Sequence, residues 1–96
     1  MQTTRLQTVE DVTAAIDALV SLRLSRGQGP VKRAQLREEE ARFADLYEMR
    51  AALWHELGVR AFRVQRIADA YGSACAIAEK HDRDQVRYWR TRAGAR

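Results

Sequence analysis

The side chains with the clearest chemical potential are arginines gathered at one end of the chain. Residues 83–96 carry Arg83, Arg87, Arg90, Arg92 and Arg96 against Asp84 alone, whereas residues 1–82 carry 12 basic and 12 acidic side chains. The whole formal net charge of +4 therefore lies in the last 14 residues. Of the 17 cations, 15 are Arg and only Lys32 and Lys80 are Lys. A guanidinium is a planar fork that grips phosphate or carboxylate with two hydrogen bonds at once. Such a terminus calls for an anionic partner, either a nucleic acid or an acidic protein surface. The candidate nucleic-acid-binding residues are Arg83, Gln85, Arg87, Arg90 and Arg92. Tyr88 and Trp89, interleaved among them, are candidate partner-binding residues, because aromatic side chains dominate interfaces when exposed. The competing reading of the same charges is a solubilising tail, or arginines paired with the chain's own carboxylates.

No second constellation supports chemistry of another kind. Cys75 is the only thiol and sits on an apolar stripe, where it reads as a small buried hydrophobe. His55 and His81 have no Cys or His partner at metal-ligand spacing, and Glu79 with Asp82 beside His81 makes a mixed-face set that suits zinc poorly. The glycines at 27 and 29 precede Pro30 rather than a phosphate-cradling Gly-Lys-Ser. A non-catalytic binding protein with no metal and no cofactor is expected. A single Cys allows no internal disulfide, the opening MQTTRLQTVEDV lacks a secretory apolar run, and no 18-residue apolar stretch exists. These features predict a cytoplasmic protein with no membrane partner.

The elements that must position these residues are helical, because apolar residues recur at three and four throughout and nowhere alternate for long. A first segment runs from about Val9 to Leu24, with Leu6, Val9, Val12, Ile16, Leu19 and Val20 on one stripe and Thr8 and Asp11 as a weak capping box that uses Asp where Glu or Gln is preferred. Gly27-Gln28-Gly29-Pro30 stops it. A second segment runs from about Val31 to Leu57, about 40 Å at helical rise, with Gly58 in the position of a C-terminal cap and Glu38, Glu39 and Glu40 read as a solvated face. A third begins near Arg60. Its stripe of Val64, Ile67, Ala68, Tyr71, Ala74, Cys75, Ala78 and His81 favours one continuous helix, against the alternative of breaks capped by Ser73 and Asp82. Small Ala74, Cys75 and Ala78 allow a neighbouring helix to come close.

The expected fold is all-α, a small three-helix bundle or a long helical hairpin plus a C-terminal helix, as one domain over 1–96 with a basic segment at 83–96. At 46% apolar residues the chain is too hydrophobic for disorder, and at 96 residues it is too short for a Rossmann or barrel enzyme. A chain this small buries only about two-thirds of its unfolded surface. A homodimer, for instance through the long second helix, would cover more.

Residues 66–90, about a quarter of the chain, resemble a degenerate helix-turn-helix of the homeodomain-like kind. Gly72-Ser73 stands where a first helix is capped, Ile77-Ala78-Glu79 matches a second-helix core, and Arg83-Asp84-Gln85-Val86-Arg87-Tyr88-Trp89 is similar to a recognition helix. The resemblance implies that Ile77, Val86 and Trp89 are core residues, and that Arg83, Gln85, Arg87 and Arg90 face the major groove, where Arg reads guanine and Gln reads adenine. The turn at His81-Asp82-Arg83 is about two residues shorter than the family's. A less demanding version has the arginines touching phosphates without reading bases. Gly29-Pro30-Val31-Lys32, Arg37-Glu38 and residues 56–67 are also faintly similar to helical chorismate mutases and their pyruvate-lyase relatives. The long first helix and the cations of those enzymes have no counterpart here. The leading expectation is DNA binding. The alternative is a helical adaptor or inhibitor of phage or plasmid type that acts on a larger protein.

Overall fold

The computed structural model describes residues 8–27, 29–64 and 68–95 and contains three helices, α1 (Val9–Arg26), α2 (Arg33–Val64) and α3 (Ala68–Ala95). No strand occurs among the described residues.

Local chemistry sets both ends of α1. The Thr8 hydroxyl accepts from the Asp11 N–H at 3.1 Å, and the Asp11 carboxylate accepts from the Thr8 N–H at 3.2 Å. Asp thus closes a full capping box. Glu10 and Asp11 in the first turn and Arg23 and Arg26 in the last both suit the helix dipole. At the far end Gly27 takes a positive φ of 69°, a conformation costly for any residue with a Cβ, and returns its N–H to the Leu24 carbonyl.

The second and third helices depart from their expected limits for tertiary reasons. α2 runs 32 residues and passes straight through Gly58, so that residues 60–64 belong to it and do not open the third helix. Gly58 is not a cap. A Cβ built there would lie 3.3 Å from the Cys75 Cβ, so the glycine permits close approach of α3. α3 is unbroken through Gly72-Ser73 and through His81-Asp82-Arg83. The turn that the helix-turn-helix resemblance requires is therefore helical here. Asp82 caps nothing. Its carboxylate is 1% exposed and held by an arginine of α2.

α2 and α3 form a long antiparallel hairpin. Gly58 lies against Cys75, His55 against Glu79, Arg50 against Asp82 and Glu40 against Arg92. α1 runs antiparallel to α2, with Arg26 on Glu39 and Thr13 on Arg50. Among the described residues its backbone comes close to α2 and not to α3. The core of Val12, Ile16, Phe43 and Leu46 takes in Tyr47, Leu53 and Trp89 at its margin. Trp89 stacks on Phe43 with ring centroids 4.5 Å apart. It is a core residue, as the helix-turn-helix resemblance implied, and not a free partner-binding aromatic. Val86 is buried, but Ile77, which the resemblance placed inside, is 71% exposed. Glu39 and Glu40, read from sequence as a solvated face, are buried because the two neighbouring helices close over them. No described helix is long and apolar enough to cross a membrane.

One guanidinium joins all three helices. Arg50 Nε and Nη2 donate to the two Asp82 carboxylate oxygens at 2.9 and 3.0 Å, and Nη1 donates to the Thr13 hydroxyl at 3.0 Å. Removing one partner of such a pair strands a buried charge. Asp82→Ala is expected to cost about 3–5 kcal/mol in urea unfolding, whereas Arg50→Met combined with Asp82→Leu should recover most of the loss.

Candidate functional site

The C-terminal arginines do not form a free cationic grip. Helical spacing and the antiparallel partner bring a carboxylate to each of the four that the structure describes. Arg83 donates to Glu79 one turn back at 2.8 Å, and Arg87 pairs with Asp84. Arg90 reaches Glu48 of α2 at 2.6 Å, and Arg92 lies 3.7 Å from Glu40 with its guanidinium over the Tyr88 ring. Gln85 is half-buried along α3. Tyr88 is half-exposed and edge-on to Trp89. The four arginine side chains nevertheless remain between 43% and 80% exposed. Exposed ion pairs are weak and screened by salt, so Arg87 and Arg90 can exchange a carboxylate for another anion, whereas Arg83 and Arg92 pair with carboxylates that are 18% and 0% exposed.

The fold adds cations that sequence reading left aside. Because α3 runs antiparallel to α2, its last turns lie beside the first turns of α2. There Lys32, Arg33, Arg37 and Arg42 are exposed and make no ion pair among the described residues. The first turn of α2 holds no acidic residue, although its unpaired N–H groups and dipole favour negative charge. Cations placed there oppose the helix's own dipole, and an anion would relieve both. The absence of an acidic residue between Pro30 and Glu38 was the available signal in the sequence. Its meaning depended on knowing which end of α3 lay alongside. Residues 23–48 and 84–95, which make up this end, carry nine basic and six acidic side chains, against six and seven in residues 8–22 and 49–83.

Two of the nine cations face inward. Arg26 makes a two-pronged hydrogen-bonded pair with Glu39, its Nη2 donating at 3.0 Å, and Gln35 donates to the same carboxylate at 3.3 Å. Arg23 lies 4.0 Å from Glu39 and over the rings of Phe43 and Trp89. Hydrogen bonding from Arg26 holds the Glu39 carboxyl below its ordinary value of 4.5 despite burial. The same carboxylate raises the Arg26 guanidinium. Glu39 thus anchors α1 to α2 beneath the exposed cations.

The opposite half of the hairpin offers a shallow groove of about 350 Å³ lined by Trp54, Gly58, Val59 and Cys75, with His55 and Glu79 at its rim. His55 Nδ1 lies 3.1 Å from Glu79. Burial pushes the Glu79 carboxyl up, but hydrogen bonds from Arg83 and His55 outweigh it and leave the group below its ordinary range. Among the described residues no cluster of His, Cys, Asp and Glu is arranged to hold a metal ion. The chain matches no protein-family model, no curated protein and no solved structure.

The depressed Glu39 carboxyl makes this end acid-sensitive. Its contribution to stability is complete above about pH 4.5, the ordinary value, and is lost as pH falls through the lower folded value. Glu39→Gln is expected to melt below the unmodified protein at neutral pH. The two melting curves should converge in acid, with a shallower decline for the variant.

Proposed function

We propose that the protein is a non-catalytic binding module whose basic end takes a polyanion, a nucleic acid in the first instance. One observation carries this reading: Lys32, Arg33, Arg37 and Arg42 are exposed and without carboxylate partners among the described residues, at the same end of the hairpin as the exposed Arg90–Glu48 pair. The binding surface is therefore wider than the C-terminal segment and centres on the start of α2. Arg83 and Arg87 lie further along α3, each paired within its own helix, and contribute less.

The mode of contact is to phosphates. An unbroken α3 supplies no separate recognition helix, and half-buried Gln85 is poorly placed to read an adenine edge. Phosphate contacts fix position and carry no sequence information, so affinity should vary little among duplexes of different sequence. An acidic protein surface is the competing partner for the same cations.

Salt separates the two. If Lys32, Arg33, Arg37, Arg42 and Arg90 each neutralise a phosphate, the slope of log affinity against log salt is roughly −4.5. Replacing Lys32, Arg33, Arg37 and Arg42 together by Ala should reduce that slope by roughly 3 to 4 and abolish measurable binding at physiological salt. Replacing Arg83 and Arg87 should do far less. Failure of the unmodified protein to bind any duplex or single strand at low salt would overturn the nucleic-acid reading and leave the acidic protein surface.

A further inference from the structure

α3 has a third face that meets the core and the basic end only at Tyr88. Ala74, Ile77, Ala78, His81 and Tyr88 fall along one flank, and Ile77 and Tyr88 are 71% and 50% exposed. Beside this flank runs a groove of about 580 Å³ between α3 and α2, walled by Trp54, Ala74, Ile77, Ala78 and His81 and floored by the Arg50–Asp82 pair. α1 leaves this flank uncovered, because it leans on α2. The molecule is correspondingly flat, 53 × 35 × 20 Å, with a radius of gyration of 15.8 Å. A compact chain of this length would have roughly 12 to 13 Å.

We propose that a second copy of this chain docks on the α3 flank about a two-fold axis near Ile77 and Ala78, with the two α3 helices antiparallel. The occupant follows from the shape of the stripe. A two-fold interface must be complementary to itself. Here the projecting side chain, Ile77, and the hollow made by small Ala74 and Ala78 beside Trp54 lie within one turn of each other. An axis passing between them seats each Ile77 in the hollow of the other copy.

Charge favours the same arrangement. Each cation beside the stripe has a carboxylate in its own helix, Lys80 and Arg87 sharing Asp84 and Arg83 on Glu79, which leaves one net positive charge per copy; an antiparallel crossing at residues 77 and 78 sets these cations on opposite sides of the axis. Antiparallel pairing also sends the two basic ends in opposite directions. Arg90 of one copy stands roughly 40 Å from its equivalent at a rise of 1.5 Å per residue, several Debye lengths at physiological salt. The flank from Tyr71 to Tyr88 is roughly 27 Å long, and across the molecule's thickness it covers roughly 500 Å² per copy, at the low end of specific interfaces. A weak, concentration-dependent dimer is the expectation.

Sedimentation velocity of the full chain without nucleic acid tests this. The mass should rise with concentration from 11.0 kDa toward twice that value. Ile77→Asp should remain monomeric throughout, with helicity and melting of the dilute protein unchanged, since the side chain is exposed. Leu24→Asp, at an equally exposed position on α1, should leave the dimer intact. Ile77→Cys in a Cys75→Ala background should cross-link to its own copy under oxidation. A protein that stays monomeric at the highest concentration overturns the proposal. So does a dimer that survives Ile77→Asp or is lost with Leu24→Asp. The inference goes beyond polyanion binding and does not depend on it: no nucleic acid is present, so either can fail alone.

Discussion

The arrangement of this bundle depends on one guanidinium. Arg50 spends its hydrogen-bonding directions on Asp82 of α3 and Thr13 of α1 while lying over the Tyr47 ring. A buried ion pair of this kind is a weak source of net stability, because desolvation offsets most of its attraction. Its effect is on register. α3 is rich in alanine, and a stripe of small side chains can slide against a neighbouring helix at little cost. A two-pronged pair cannot slide. With Asp82 fixed on Arg50, residues one heptad away in either direction fall into place, Trp89 on Phe43 and Cys75 on Gly58. Slipping one turn would lose the pair, the stacked rings and the close glycine contact together.

The same register sorts the charges. Buried Glu39, Glu40 and Asp82 each face an arginine from another helix, Arg26, Arg92 and Arg50. Carboxylates clustered in sequence at 38–40 are thus drawn largely inside, and the exposed surface at that end is more positive than the local sequence suggests. Within α3 the opposite happens, as Lys80, Arg83 and Arg87 find partners one turn away. A tail that holds the entire net charge in sequence is therefore partly neutralised in space, and the unanswered cations appear on α2.

What was legible in the sequence was what neighbours along the chain decide. The capping box at Thr8 and Asp11, the stop at Gly27 to Pro30 and the all-helical class depend on spacings of a few residues, and each stands in the structure. What was not legible depends on contacts between helices. Gly58 has the composition of a helix end and serves instead as a contact point, a distinction that only the position of Cys75 makes. Ser73 and Asp82 have the composition of caps, but Asp82 is committed to Arg50 before it can cap anything. Periodicity shows that α3 has an apolar face without saying which residues turn inward. Trp89 lies in a charged stretch yet packs on the core, and Ile77 lies in an apolar stretch yet faces out.

That exchange of roles between Trp89 and Ile77 follows from the geometry of a two-layer body. Cys75, Asp82, Val86 and Trp89 repeat at heptad spacing and define the seam with α2. Once that seam is fixed, Ile77 lies two positions beyond Cys75, about 160° away around the helix when the turn holds 3.6 residues. No third helix stands there, because α1 is held to α2 by Arg26 on Glu39 and Thr13 on Arg50. An isolated exposed isoleucine is ordinary on a protein surface. One that shares its flank with Ala74, Ala78 and Tyr88 makes a coherent apolar strip. The interaction that sets the inside of this bundle therefore also decides which face of α3 is left open.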